Sequence, residues 1–471
     1  MTARRLAVLT LLLVGVARAD AQGRVVPAPK APAKRARVVP GPPTAPKRVR
    51  VVPAPNRAPA QSPAQPSVPS PMPAVGSRGD VTVTLVTFGL GEAVWERFGH
   101  NALWIHDAAT GTDVAYNWGL FDFEQPGFFR RFLTGDTKYW MGGEDAFAMV
   151  SAYHNAGRPI TLQTLNLTPA QAAELKAFVE RNALEENKYY RYDYFRDNCS
   201  TRLRDAVDHA VGGALRAATD TMRTSLTYRG ESVRLTDGDI PVQTGIDIAL
   251  GRPADTPLSA WESFFIPMRL RDGIRLVNVP GADGQSVPLV AEERLLAPSS
   301  GAPRVVEPRS VPNHTRRNLI VGLLLATIVV LLRLLMRVQR WAAWLLALFG
   351  LTWALLCGVL GTVLLLAWLV TKHVFWARNE TLLLISPVSL ALVVFIPAAL
   401  LAGRAVRRAR IAGGVVALMG LCALALSVIP GRQPTREIIA LFLPTHLALA
   451  WALLLYLPRR SKPAPAPSSA V

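Results

Sequence analysis

The chain has three cysteines, and Cys199 is the only one in its water-soluble part. Its neighbours are those a nucleophile needs. It follows Asn198, a strong helix N-cap type, and Leu203, Val207, Ala210 and Val211 then recur at helical spacing until Gly212-Gly213 ends the run. The thiol therefore sits at the first helical position. Unpaired backbone N–H groups and the positive end of the helix dipole favour the thiolate there, and the thiolate is the nucleophilic form. A free cysteine packed as a small apolar side chain is the competing reading, and a nearby base decides between them. The candidate base is His100, which follows Gly99 and opens the apolar run Ala102 to Ile105, read as a buried strand. His106, His154 and His209 better fit structural roles. A third polar group would fix the imidazole tautomer, and Asn117 on the next strand is the first candidate, with Asp122 the second.

The elements that must position these residues are readable around them. Val81 to Phe88, VTVTLVTF, alternates apolar residues with threonine and predicts a half-exposed strand. A loop carrying Trp95 leads to His100, and Ala109-Thr110-Gly111-Thr112 turns a hairpin between the histidine strand and the strand of Asn117. Phe121 to Trp140 is rich in aromatic residues around Arg130-Arg131. It reads first as core, with an acyl-chain groove or a lipid-interface contact as the functional alternative. Thr168-Pro169 opens a helix that runs towards Asn187. Trp261 to Leu270, WESFFIPMRL, is an apolar patch with no role assigned beyond packing or membrane contact.

Three stretches together, FGHNALWI, AYNWGLFDFEQPGFFRRFLTGDTKYW and YYRYDYFRDNCSTRLRDAV, are followed by a multi-helix apolar segment. This combination resembles the alternative bacterial lipoprotein N-acyltransferases (Lnb), over roughly residues 80 to 457. The resemblance implies an α+β permuted papain-like (NlpC/LRAT-like) thiol-enzyme domain, with the histidine strand before the cysteine helix, followed by an all-α multi-span transmembrane domain. Carried onto this chain, it makes Cys199 the nucleophile and His100 its general base. It also implies transfer of an acyl chain from a membrane phospholipid, through a thioester, to the N-terminal amine of diacylglyceryl-cysteine in bacterial lipoproteins. Lys372 to Pro387 resembles a further element of that family. Arg378, Asn379 and Glu380 are expected there near the outer membrane face, lining a lipid entry or binding a head group, with polar caps on a span as the alternative. Asn198 and Trp95 complete the expected substrate contacts.

The organisation along the chain follows from composition. Residues 1–19 carry Arg4-Arg5, an apolar run and Ala17-Arg18-Ala19, and read as a secretory signal peptide. Residues 20–78 are a Pro/Ala/Arg-rich tether with Arg-Val-Val-Pro at Arg24, Arg37 and Arg50, a solvated spacer whose charge suits an anionic membrane or envelope surface. Residues 79–275 are expected to form the periplasmic catalytic domain, 276–318 a linker, 319–457 about five membrane helices, and 458–471 a cytoplasmic tail. Five spans put the arginine-rich loops around Arg333 to Arg340 and Arg404 to Arg410 on the cytoplasmic side, as the positive-inside rule requires of an inner-membrane protein.

The net charge of +19 points to anionic lipid more than to nucleic acid, for which no motif appears. No phosphate-binding glycine loop and no Cys/His cluster with zinc spacing is present, so neither cofactor nor metal is expected. The same Cys-His pair would also serve a phospholipase or a cell-wall amidase. A non-catalytic envelope-binding protein is the reading from a different class.

Overall fold

The structure is a computed structural model that describes residues 80–297 and 305–455. The signal peptide, the tether and the C-terminal tail lie outside the described residues.

A seven-stranded antiparallel sheet organises the first part of the chain, in the order β6-β4-β3-β2-β1-β5-β9. Its strands are β1 (Val81–Phe88), β2 (His100–Asp107), β3 (Thr112–Leu120), β4 (Lys138–Asp145), β5 (Ile160–Leu165), β6 (Tyr189–Arg191) and β9 (Val290–Leu296). A small hairpin of β7 (Asn278–Pro280) and β8 (Ser286–Pro288) precedes β9. The helices of this part are α1 (Phe128–Thr134), α2 (Ala146–Asn155), α3 (Pro169–Asn182), α4 (Cys199–Ala210), α5 (Ala214–Thr219), α6 (Tyr228–Leu235), α7 (Ile240–Ala249), α8 (Ala260–Ser263) and α9 (Pro267–Ile274).

Two apolar layers cover the sheet. On one face Val83, Leu85, Leu103 and Ile105 pack with Leu175 and Val179 of α3 and Leu203 and Val207 of α4. On the other, Val86, Phe88, Ala102 and Trp104 pack with Met149 and Val150 of α2. The half-exposed strand expected at Val81 to Phe88 is therefore corrected: β1 lies between β2 and β5 and is buried on both faces. Its threonines are enclosed with it, and Thr84 and Thr164 bring their hydroxyls to 3.5 Å. Alternation of valine with threonine suits either environment, because the threonine methyl packs in a core while its hydroxyl takes a hydrogen bond from water or from protein.

The expected linker 276–318 is also corrected. β9 pairs along β5 from Ile160↔Leu296 to Leu165↔Val290, so the sheet is completed by residues beyond the expected boundary at 275. Further on, Glu307 and the carbonyl of Pro308 receive the buried Arg234 guanidinium.

The membrane part holds α10 (Thr315–Leu335), α11 (Trp341–Val370), α12 (Leu390–Ala402), α13 (Val406–Leu426) and α14 (Arg436–Leu454). Four of these, all but α12, are long and apolar enough to cross a bilayer. One of the five membrane helices expected over 319–457, the apolar run Thr381 to Ala402, is instead broken, with a 46° bend between Val374–Leu383 and Pro387–Ala402. Ser386 caps the restart at Pro387, where proline lacks an N–H for a continuous helix. Backbone left open by such a break needs protein partners at membrane depth. His446 of α14 supplies one, its Nε2 donating to the Leu384 carbonyl at 2.8 Å, and its Nδ1 accepts from Trp353 Nε1 at 3.3 Å.

Phe375, just after α11, enters the soluble part and is fully buried among Phe195, Tyr228 and Phe265, with ring centroids 4.7 to 5.2 Å apart for the pairs Phe195–Phe375, Tyr228–Phe375 and Phe195–Phe265. Beside it Gly251 donates to the Phe375 carbonyl at 2.7 Å, and a side chain at Gly251 would collide with the Ala377 carbonyl. Phe375→Ala should therefore cost about 3–5 kcal/mol, the range for emptying a buried phenylalanine site. Thermal unfolding of the detergent-solubilised protein should show a clearly lowered midpoint, and an unchanged midpoint would refute this role for the ring.

Candidate active site

Asn198 builds the start of α4. Its Oδ1 accepts from the N–H groups of Ser200 and Thr201 at 3.0 and 2.9 Å, which leaves Cys199 at the first helical position, as the sequence suggests. The same side chain donates through Nδ2 to the carbonyls of Tyr194 and Phe265 at 3.0 and 2.9 Å. Its polar atoms are thus fully engaged within the protein. Asn198 is therefore corrected from substrate contact to structural cap, a role worth about 1 kcal/mol.

The apolar patch Trp261 to Leu270 props this helix start. Ser200 Oγ donates to the Phe264 carbonyl at 2.6 Å, and Arg204 Nη1 donates to that of Trp261 at 2.9 Å. From the sheet side, Asn101 Nδ2 donates to Ser200 Oγ at 3.1 Å. The residues after Cys199 and after His100 are thereby joined, and both reactive candidates come to one end of the sheet. Gly119, at φ +88°, completes the fit: a Cβ there would stand 3.5 Å from Cys199 Cβ. An isolated glycine in a strand marks such close approaches, so this neighbour had a signal in the sequence.

His100 opens β2 with Nε2 3.2 Å from Asn117 Oδ1. Strand register explains the pairing. Leu103 faces Tyr116 in the antiparallel ladder, so continuing it sets Ala102 opposite Asn117 and His100 two residues along on the same side. Asn117 Nδ2 points to Glu144 Oε1 of β4 at 3.5 Å, which aims its carbonyl oxygen at the imidazole. An acceptor at Nε2 places the ring proton there and leaves the Nδ1 lone pair free as a base. Tyr153 stacks on the ring at 6.2 Å between centroids, almost parallel at 3°.

Burial of the His100 ring, then the neighbouring Arg158 guanidinium, lower its pKa to about 4, against the pull of the Asn117 bond. Burial pushes the Cys199 thiol up to about 11, although the N–H groups of Asn101, Ser200 and Cys199 itself and the charge of Arg158 draw it down. The expectation of a thiolate favoured by position is thus corrected, because desolvation outweighs the helix end. At neutral pH the site holds a thiol and a neutral imidazole. Such a pair reacts by proton removal during attack, and the N–H groups turned to the sulfur suit an oxyanion that forms beside it.

The remaining expected contacts divide. Trp95 is half exposed in a short 3-10 helix (Val94–Phe98) just before His100, edge-on to Phe123 at 6.1 Å. Asp122 caps its own turn through Glu124 N at 2.8 Å. Asn379 is corrected to a structural residue: it is buried, its Nδ2 donates to the carbonyls of Ile248 and Ala249 at 2.8 and 3.0 Å, and its Oδ1 caps Thr381. Glu380 is likewise taken up within the protein, by Arg432 at 3.2 Å and Arg252 at 3.5 Å. Both lie beneath the soluble part, and of the three residues only Arg378 is exposed. Sequence reasoning missed Glu144, Tyr153, Arg158, Asn101 and Ser200. Apart from the polar neighbours of His100 and Cys199, these come from distant strands and loops with no local signature.

Residues 78–229, about a third of the chain, match the family model described as the Lnb N-terminal periplasmic domain. No curated protein and no solved structure matches the chain. The match covers the whole His100–Asn117–Cys199 constellation and, with the four apolar helices, fits a membrane protein of the Lnb-like kind with a periplasmic domain.

Alkylation of Cys199 by iodoacetamide in a Cys422→Ser protein should quicken about tenfold per pH unit from pH 7 to 10, because the thiolate fraction is still rising. Mass spectrometry checks this, and a rate already level at pH 7 would show a preformed thiolate.

Proposed function

We propose that this chain is a membrane-bound Cys-His acyltransferase that moves a fatty acyl chain from a phospholipid, through a Cys199 thioester, to the N-terminal amine of diacylglyceryl-cysteine lipoproteins. The observation that carries the reading is His100 held by Asn117 at 3.2 Å, with Nδ1 left free, at the sheet end where α4 presents Cys199. The order of histidine strand before cysteine helix supports a permuted papain-like site, and the similarity to the Lnb periplasmic domain supports the lipoprotein setting. Attachment of the soluble part to apolar helices favours a lipid donor over a wall peptide.

In the first half-reaction His100 Nδ1 takes the thiol proton as the sulfur attacks the ester carbonyl of the phospholipid. Backbone N–H groups of Cys199 and Asn101 hold the oxyanion. The carbon–oxygen bond to glycerol then breaks, and His100 returns the proton to that oxygen, releasing a lysophospholipid. In the second, the lipoprotein amine attacks the thioester, its proton passes to His100, and Cys199 leaves and is reprotonated. Asn117 holds the ring throughout.

Intact-mass analysis of the full-length protein in phospholipid should show a mass increase of one acyl group. Hydroxylamine should remove it, and Cys199→Ala should lack it. Acylation of a diacylated lipopeptide with no adduct on the wild type would remove Cys199 from the covalent role. Absence of both adduct and turnover would sink the acyltransferase reading.

The pH dependence follows from the lowered His100 pKa of about 4. The base is neutral above that value and protonated below it, so adduct formation should hold its rate from pH 7 down to about 5 and fall near 4. A fall centred near 6.5, the free-imidazole range, would contradict this. Asn117→Ala should slow adduct formation on the order of 10- to 100-fold by releasing the ring, with little change in KM.

A further inference from the structure

Helix α1 leaves three apolar side chains in the open, Phe129, Phe132 and Leu133, at 52%, 50% and 57% exposure. A contiguous patch of this kind on one end of a domain calls for a covering surface. Its position identifies that surface. The end of α1 is tied to the residues that directly follow α11: Lys372 N donates to the Thr134 carbonyl at 2.8 Å, Lys372 Nζ pairs with Asp136 at 2.7 Å, and His373 Nε2 reaches the Phe132 carbonyl at 2.9 Å.

On α11 the exposed Trp344 and Trp368 stand about 24 residues apart, or about 36 Å along a helix. That is the separation of the two aromatic belts of a bilayer, whose hydrocarbon core is about 30 Å thick. Trp368 thus marks the outer interface, and Lys372 lies one turn beyond it. The apolar surface of α11 continues past Trp368 through the exposed Leu369 and Val370 up to the α1 junction. α1 therefore lies at head-group depth, where its exposed Arg130 suits phosphate.

From this patch a row of rings runs inward. Phe132 stacks on Phe128 at 6.0 Å, Phe128 on Phe121 at 5.9 Å, Phe121 on Tyr139 at 5.1 Å and Tyr139 on Tyr192 at 4.4 Å. The Tyr192 ring ends the row beside Gly119 and Cys199.

We infer that α1 is an interfacial anchor inserted in the outer leaflet beside α11, and that the ring row from Phe132 to Tyr192 leads a phospholipid acyl chain from that leaflet to Cys199. The partner is the phospholipid surface itself. The acyl path rests on the acyltransferase reading, whereas insertion of α1 does not.

Two measurements separate these. The first uses full-length protein with Cys199→Ser and Cys422→Ser, carrying an NBD fluorophore on Phe129→Cys, in nanodiscs of phosphatidylethanolamine and phosphatidylglycerol. NBD emission should be blue-shifted and quenched by doxyl-labelled lipid, as for a label at Leu366→Cys on α11. A label at Thr110→Cys on the distant hairpin should remain water-like. Water-like emission at position 129 would overturn the anchor. The second measurement compares Phe121→Ser, in the ring row and outside the exposed patch, with otherwise native protein. Thioester formation should fall at least tenfold more with bilayer phospholipid as donor than with water-soluble p-nitrophenyl butyrate. Equal losses with both donors would overturn the lipid path. Absence of any adduct in the native protein with either donor would count against the acyltransferase reading while leaving the fluorescence result to decide the anchor.

Discussion

The antiparallel pairing of β2 with β3 is the constraint on which the site depends. It sets His100 and Asn117 on one side of neighbouring strands, close enough for a 3.2 Å contact, and Glu144 on the next strand turns the asparagine so that its oxygen meets the ring. A slip of one residue in that pairing would send Asn117 to the opposite face and leave the imidazole without an orienting partner. The sulfur is brought to the same end of the sheet by a second set of bonds, from Asn101 through Ser200 to the Phe264 carbonyl. The histidine strand, the cysteine helix and the later WESFFIPMRL segment therefore hold one another in place.

Charge in the site follows from how closely these parts pack. Burial moves the thiol up and the imidazole down, so both stay neutral where free side chains would be nearer to exchanging a proton. The end of a helix favours a thiolate by no more than a few kcal/mol, and loss of water around the sulfur opposes it with a larger effect here. A neutral pair suits a reaction in which the proton moves as the substrate arrives, and it protects a lone cysteine from oxidation, which proceeds through the thiolate.

The soluble and membrane parts share a junction built from buried groups. Phe375 fills an aromatic cluster, Asn379 satisfies the end of α7, and Glu380 meets two arginines. The broken span between Leu383 and Pro387 is accommodated because His446 bonds the Leu384 carbonyl and because Gly361 lets the irregular backbone approach α11. Asn379 and Glu380, which look like head-group ligands, thus stitch the two parts together, and α1 offers an exposed apolar surface beside that junction.

Local signals in the chain were enough for the first strand, the His100–Asn117 hairpin, the cysteine helix and the apolar helices, and for the reactive residue types. Asn198 before a helical repeat placed Cys199 at a helix start, Ala109 to Thr112 placed the hairpin, and the apolar runs placed the membrane helices, because caps, turns and hydrophobic periodicity act over a few residues. Long-range contacts settled that β9 closes the sheet, that Asn198 and Asn379 spend their polar atoms on the backbone, and that the span after α11 is broken. The same burial pushes the Cys199 thiol up and the His100 imidazole down. Burial, and the partners that satisfy a buried polar group, come from segments far apart in the chain, and local sequence carries no record of which of them will meet.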